Sequence, residues 1–334
     1  MWYEKQFRDN GNLTTLLQAI RQIATFPIRI MEVCGGQTYA LSRYRIEELL
    51  PDTVQMIHGP GCPVCVTHED TISQAIEIAR NPQTIFCTFG DMVRVPGTKG
   101  SLQQLKAEGK DIRIVYSPLD TLRIASENPE KQVVFFAIGF ETTIPAAISF
   151  LAQDPECKID GLLAAGHVCS ITGLREYDAL AEKLELPIAV TGFEPADLLY
   201  GIYQVIRLKA QGIDRTINAY RRAVPTQGNR MARQKTERFF TPYDAYWRGL
   251  GKIPVSGLRL RPEYEQYEAR NRFLCKVKPG IQASVCRAGE IMKGKISPEK
   301  CPLFGNRCTP DTPLGASMVS SEGACSAFYR YRTN

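Results

Sequence analysis

The chain has 334 residues, 44% of them hydrophobic and only two of them Trp, which is enough for two or three domains around a sizeable core. Its 41 basic and 35 acidic residues leave a net charge of +6. The densest basic stretch, Arg215–Arg238 with Arg221, Arg222, Arg230, Arg233, Lys235 and Arg238, reads as a solvated face, because a nucleic-acid groove needs clustered cations with stacking aromatics on a recognisable module. With no apolar run of about 18 residues and no secretory layout in Met1-Trp2-Tyr3-Glu4-Lys5, neither a membrane span nor export is expected, and the cytoplasm is the expected location.

In chain order, a helix is expected over Leu13–Thr25, then a strand over Ile28–Val33 that runs into Cys34-Gly35-Gly36-Gln37-Thr38 and a helix over Ala40–Leu50. A second strand, Val54–Ile57, runs into His58-Gly59-Pro60-Gly61-Cys62-Pro63-Val64-Cys65 and a helix over Glu69–Arg80. Strands at Thr84–Phe89, Ile112–Val115 and Val133–Ile138 alternate with helices at Ser101–Glu108 and Thr121–Asn128. Two of these strands lead into Gly90-Asp91-Met92 and Gly139-Phe140-Glu141-Thr142-Thr143. The series continues with helix Pro145–Leu151, strand Gly161–Ala164 before Gly166-His167, helix Tyr177–Leu184, strand Ile188–Thr191 and helix Pro195–Ala210.

Alternation of this kind predicts an α/β protein with mostly parallel sheets, and the polar signatures fall at strand ends, where loops converge on one cleft. A break at Ser117-Pro118-Leu119-Asp120 suggests two similar βα-repeat domains, residues 1–117 and 118–260. After about Lys278, Pro and Gly increase and four cysteines fall within forty residues. A small C-terminal domain, residues 261–334, is therefore expected to be held by a metal centre and to pack partly back on the first domain.

Eleven cysteines are the compositional anomaly. Cys87 reads as a buried small hydrophobe, and Cys157, Cys169 and Cys275 as structural. Cys286-x14-Cys301-x6-Cys308-x16-Cys325 suits either an all-cysteine zinc site or a [4Fe-4S] cluster. The absence of paired Cys-x-x-Cys knuckles favours the cluster. Cys62-Pro63-Val64-Cys65, between a strand and a helix, has the setting of a thioredoxin-type dithiol, with half of a zinc knuckle as the alternative. Cys34 precedes two glycines that admit close approach of the backbone, and the helix beyond it predicts an electropositive setting; a nucleophile reading of that cysteine stays weak. Glu141 is either a proton carrier or clamp, or part of a helix N-terminus opened by Thr142 and Thr143. Three histidines, His58, His68 and His167, do not make a multi-histidine metal site. The segments Gly59–Gly61 and Val95-Pro96-Gly97-Thr98-Lys99-Gly100 match no phosphate-binding fingerprint.

Taken together, Ile30-Met31-Glu32-Val33-Cys34-Gly35-Gly36, the segment His58 to Val66, Phe89-Gly90-Asp91-Met92-Val93-Arg94-Val95-Pro96-Gly97 and Gly139-Phe140-Glu141-Thr142-Thr143 resemble the HypD family of [NiFe]-hydrogenase maturation proteins. The likeness continues through Gly192-Phe193-Glu194-Pro195, Tyr246-Trp247-Arg248-Gly249-Leu250-Gly251, Cys301–Gly305 and Met318–Cys325, so it covers nearly the whole chain. It implies two α/β domains and a C-terminal [4Fe-4S] cluster ligated by Cys286, Cys301, Cys308 and Cys325. It also implies that Cys34 holds iron together with a cysteine of a small HypC-type partner, that Cys62 and Cys65 relay electrons toward it, and that a HypE-type protein donates cyanide. The transient Fe(CN)2CO group then passes to the hydrogenase large subunit, so the chain would be a redox-active assembly scaffold more than a turnover enzyme. Glu141 and His58 would support ligand binding or proton delivery.

Two departures from the resemblance stand out. Gln37 and Tyr39 occupy positions where family members commonly carry histidine, and Ile148–Gly161 is short, as if one βα unit were missing. Two rival readings remain: a thiol-disulfide oxidoreductase with structural zinc, and a non-catalytic scaffold whose cysteines merely hold metal.

Overall fold

The structure, a computed structural model, describes residues 2–98, 100–139, 143–273, 275 and 285–332. Its strands are β1 (Ile28–Glu32), β2 (Val54–His58), β3 (Thr84–Thr88), β4 (Ile112–Ile114), β5 (Gln132–Phe135), β6 (Gly161–Ala165), β7 (Ile188–Thr191), β8 (Thr216–Asn218), β9 (Phe240–Trp247) and β10 (Gly251–Leu260). β3, β6 and β7 are buried at every residue, the mark of parallel strands covered on both faces.

Two parallel sheets result, a large one in the order β2-β1-β6-β7-β8 and a small one in the order β4-β3-β5, while β9 and β10 form an antiparallel hairpin. The α/β expectation with parallel sheets is met. The large sheet separates two apolar clusters. Ile28, Ile30, Leu163 and Ala189 face helices Asn10–Ile23 and Pro195–Ala210, and Met31, Ile57, Leu162 and Ala164 face the other side.

The expected division into residues 1–117 and 118–260 does not follow the strand pairing. β1 pairs with β2 on one side and with β6 on the other, so the large sheet is built from both ends of that division and the small sheet is an excursion between β2 and β6. The physical reason is the apolarity of Gly161–Ala165, which needs a neighbour on both edges and cover on both faces. Ser117-Pro118-Leu119-Asp120 is likewise no break. Ser117 caps helix Pro118–Glu127 and Asp120 returns a bond to the Ser117 N–H, a capping box with Pro at the first turn.

The helix expected over Ala40–Leu50 is split into Gly35–Arg43 and Ile46–Leu49 by Arg45, whose φ of 50° is left-handed. β8 and the β9–β10 hairpin were not foreseen, because most of their residues are exposed or half-buried and the few buried ones, such as Trp247 and Ile253, make no continuous apolar run. Helix Arg230–Phe239 has no buried residue, as a solvated basic face requires. Among the described residues no helix is long and apolar enough to cross a membrane. The last helix, Ala324–Tyr331, packs back on helix Gly35–Arg43 and so closes the C-terminal segment over the end of β1.

The sheet order predicts unequal costs of truncation. Leu163→Ala in central β6 is expected to destabilise by about 2–5 kcal/mol, and Ile217→Ala in edge strand β8 by about 1 kcal/mol, as read from urea unfolding. Equal costs would contradict the central place of β6.

Candidate functional site

Cys34 leaves β1 and becomes the extended cap residue of helix Gly35–Arg43, with φ of −150° and only 2% exposure. Two close backbone approaches fix it there. Gly35 donates its N–H to the Gly61 carbonyl at 2.9 Å. A methyl group on Gly61 would stand 2.2 Å from the Cys34 nitrogen, and one on Gly35 would stand 2.5 Å from Glu322 Cβ. Any side chain at either position forces the three segments apart. The glycines at Gly59–Gly61 therefore serve chain-to-chain packing, and a phosphate finds no room there.

One residue beyond Gly61, Cys62 caps the short helix Pro63–Val66, and its Sγ accepts the Cys65 N–H at 3.2 Å. Cys65 Sγ lies 3.9 Å from the Ala316 carbonyl, at the start of helix Ala316–Val319 in the segment that carries Cys325. Both dithiol cysteines are about as buried as Cys34. His167, at the start of helix Gly166–Thr172, places Nδ1 3.8 Å from Cys34 Sγ and its ring against Phe193.

The setting of Cys34 is not electropositive. Burial raises its thiol well above the ordinary value, the Gln37 and Gly36 amides lower it less, and the carboxylates of Glu32 and Glu322 raise it further. Burial raises Cys65 as well, reinforced by its bond with Cys62 and by the charges of Cys325 and Glu322. Helix-end amides are thus outweighed by desolvation.

Beneath Cys34 runs a buried chain of alternating charge. The Glu32 carboxylate, fully enclosed, accepts the Cys34 N–H at 2.9 Å, the Thr38 hydroxyl, and His58 Nδ1 at 2.9 Å. His58 Nε2 faces Glu47 Oε1 at 3.1 Å, and Arg332 Nη2 reaches the same oxygen at 2.6 Å. Phe328 meets the His58 ring edge to face at 5.0 Å. Burial works against charge on the imidazole, but the carboxylates, Glu47 foremost, overcome it and push His58 up to about 10. Burial likewise opposes charge on Glu47, and His58 with Arg332 still lowers it to about 2. With a carboxylate facing each ring nitrogen, His58 links the Cys34 loop to Glu47 and, through it, to Arg332.

Gln37 is also structural. Its amide nitrogen donates to the Ala164 carbonyl at 3.1 Å and to Thr191 Oγ1 at 2.8 Å, tying the loop to β6 and β7. Tyr39 accepts the Tyr331 hydroxyl at 2.9 Å. Glu141 lies outside the described residues. Glu32, Glu47 and Glu322 were not singled out by sequence reasoning; only Glu32 carried a signal, as an acid directly after the apolar pair Ile30-Met31 of β1. His167 was noticed at a strand end, but its contact with Cys34 was not.

Cys286, Cys301, Cys308 and Cys325 line one cavity with Ile291, Leu303, Phe304, Leu314 and Met318. Leu314 N–H points to Cys308 Sγ at 3.4 Å. Burial raises the Cys325 thiol to about 12, and the charges of Cys286, Cys308 and Cys301 add to that rise, as expected of four thiols around one space. Among the described residues, no three His, Cys, Asp or Glu side chains gather tightly enough for one metal ion. Four thiols around one apolar-lined cavity form a donor set of the kind that holds a metal centre.

The ion chain has a pH signature. His58 holds its proton more tightly folded than unfolded, so the stability it contributes is whole below about 6.5 and is lost as pH rises toward about 10. His58→Gln removes the cation beside the fully buried Glu32 carboxylate and leaves Glu47 with Arg332 alone, and is expected to cost about 3–5 kcal/mol at pH 6 in urea unfolding. It should also flatten the loss of stability between neutral pH and about 10 that the unaltered chain shows. A variant with unaltered stability and pH profile would contradict the arrangement.

The HypD family model, described as the hydrogenase formation hypA family, matches residues 12–151 and 143–332. The hydrogenase maturation factor HypD of Escherichia coli K12 is 42% identical over 99% of this chain and 98% of its own length. HypD of Rhodobacter capsulatus is 41% identical with the same coverage, and the hydrogenase expression/formation protein HupD of Azotobacter chroococcum is 40% identical over 99% and 97%. The alignments run over 367 and 371 positions against 334 residues here, and the two matched segments meet at 143–151. Both accord with a connection trimmed between helix Ile144–Leu151 and β6. The alternative of a thiol-disulfide oxidoreductase with structural zinc finds no support.

Proposed function

The chain belongs to the HypD family and is a hydrogenase maturation factor; from that premise we propose that Cys34 holds an iron ion, together with a cysteine of a HypC-type partner, while cyanide and carbon monoxide are added. A HypE-type protein is the proposed cyanide donor, and the finished Fe(CN)2CO group passes to the hydrogenase large subunit. The proposed setting is the cytoplasm, where thiols stay reduced.

One observation carries the reading: three thiol stations are contiguous. Cys34 packs on Gly61, Gly61 leads into Cys62, and Cys65 rests on the segment of Cys325. The four-cysteine cavity is the proposed seat of a resident [4Fe-4S] cluster, held by Cys286, Cys301, Cys308 and Cys325, which when bound supplies single electrons at low potential. Cys62 and Cys65 stand between that cavity and Cys34. By closing to a disulfide they release two electrons and two protons, and by opening they take them back.

Iron is the substrate here. The loop geometry presents Cys34 Sγ to it, and the Glu32 carboxylate fixes the main chain from below. His167 Nδ1, within hydrogen-bonding reach of the thiol, orients it. Burial of all three thiols keeps water from competing at the iron and from short-circuiting the dithiol.

Cys34→Ala tests this directly. Anaerobically isolated partner complex containing the variant is expected to lose the cyanide and carbon monoxide infrared bands and the loaded iron, while its brown colour persists. Bands that survive would refute Cys34 as the iron ligand. Cys62→Ser is expected to stop maturation with partner binding intact; continued maturation would leave only a metal-holding scaffold.

A further inference from the structure

The β9–β10 hairpin, unforeseen from sequence, ends in a turn wedged between the dithiol and the first cysteine of the cavity. On one side, Trp247 bridges to Thr67 and the Arg248 N–H donates to the Val66 carbonyl at 2.8 Å, one residue past Cys65. On the other, Gly249, with φ of +75°, lies so close to Gly289 that a methyl group on Gly289 would stand 2.1 Å from the Gly249 carbonyl oxygen. Gly289 opens the turn just after Cys286, within helix Ala288–Met292.

The Arg248 side chain is 7% exposed. Nε donates to the Thr67 carbonyl at 2.9 Å and Nη2 to the Pro96 carbonyl at 2.9 Å, and Glu69 Oε1 stands 3.3 Å from Nε. Thr67 is the residue on which helix Pro63–Val66 ends. A planar fork with fixed donors suits this task, because it reaches two carbonyls of different segments from two separate nitrogens, whereas the single ammonium of a lysine must bring both to one atom. Burying a guanidinium has a cost that surface residues do not meet, so its place beside the dithiol calls for a reason beyond hairpin stability.

We propose that Arg248 is the positioning residue of the Cys62–Cys65 dithiol: through Val66, Thr67 and Pro96 it clamps the turn so that the two sulfurs stay in disulfide-forming geometry beside the Cys286 turn. The inference rests on the reading of Cys62 and Cys65 as a redox pair. Clamping raises the effective concentration of one thiol at the other, so it acts on the equilibrium of disulfide formation itself. Removal of the clamp lets the turn open and favours the dithiol.

The test is the equilibrium of the full-length, anaerobically purified chain with oxidised dithiothreitol. Cys62 and Cys65 lose two hydrogens and form one disulfide, and the reagent gains them as its own dithiol. Labelling of the remaining thiols and peptide mapping give the constant. Arg248→Met is expected to lower it about tenfold, equivalent to roughly 30 mV, and Arg248→Lys to lower it by an intermediate factor. Leu163→Ala, whose side chain packs on the face of the large sheet opposite the cluster that Val66 joins, should leave the constant unchanged, so a merely structural loss is told apart. Constants within twofold of the unaltered chain for both Arg248 variants would overturn the proposal, as would an equal fall in Leu163→Ala. If Arg248→Met does not fold, Arg248→Lys alone decides, its constant falling or not. A fall in the Arg248 variants, with maturation indifferent to Cys62→Ser, would sink the redox reading of the pair and leave the clamp standing.

Discussion

The structure depends on one crowded place, where the main chain of Cys34 lies against Gly61 and Gly35 lies against Glu322. Three segments distant in sequence are joined there with no room for a side chain on Gly35 or Gly61: the end of β1, the loop after β2, and the turn before Cys325. Each brings one chemical station. Once the backbones meet at this distance, the cleft cysteine, the dithiol and the four-cysteine segment must be neighbours. The parallel sheet makes the meeting natural, since β1 and β2 are adjacent and both loops leave from their carboxyl ends.

What keeps that contact from opening is electrostatic. A carboxylate with no exposure, Glu32, holds the Cys34 N–H, and its charge is balanced through His58, Glu47 and Arg332 out to the last helix. Two cations and two anions in alternation leave no uncompensated charge, which is the condition under which such groups can be buried at all. The same chain joins the C-terminal helix to the Cys34 loop, so docking of the four-cysteine segment and placement of the cleft cysteine are one event. Arg248 plays a comparable part on the far side of the dithiol, with main-chain carbonyls as its partners.

The strands around this place were legible because apolar runs such as Thr84–Thr88 and Ile188–Thr191 carry their own signal. Their order was not, since an apolar strand announces burial and leaves its neighbours open; β6 between β1 and β7 is settled by packing. The cysteines could be sorted by spacing into a pair and a quartet; Cys62 and Cys65 share one short helix turn, and the other four line one cavity. The charge around Cys34 was misjudged, because the favourable helix end is local in sequence while the burial that outweighs it is made by segments brought in from as far as Glu322. The surroundings of His58 were hidden for the same reason: nothing near it in sequence shows that Glu32 and Glu47 face its two nitrogens.

The most direct measurement is iron, sulfide and zinc analysis with an absorption spectrum on the anaerobically purified chain and on its Cys325→Ala variant. The account predicts about four irons and four sulfides per chain, in the cubane stoichiometry, with a brown chromophore that the variant loses. One zinc and no colour would contradict it, and the four cysteines would then brace the fold without serving the cleft.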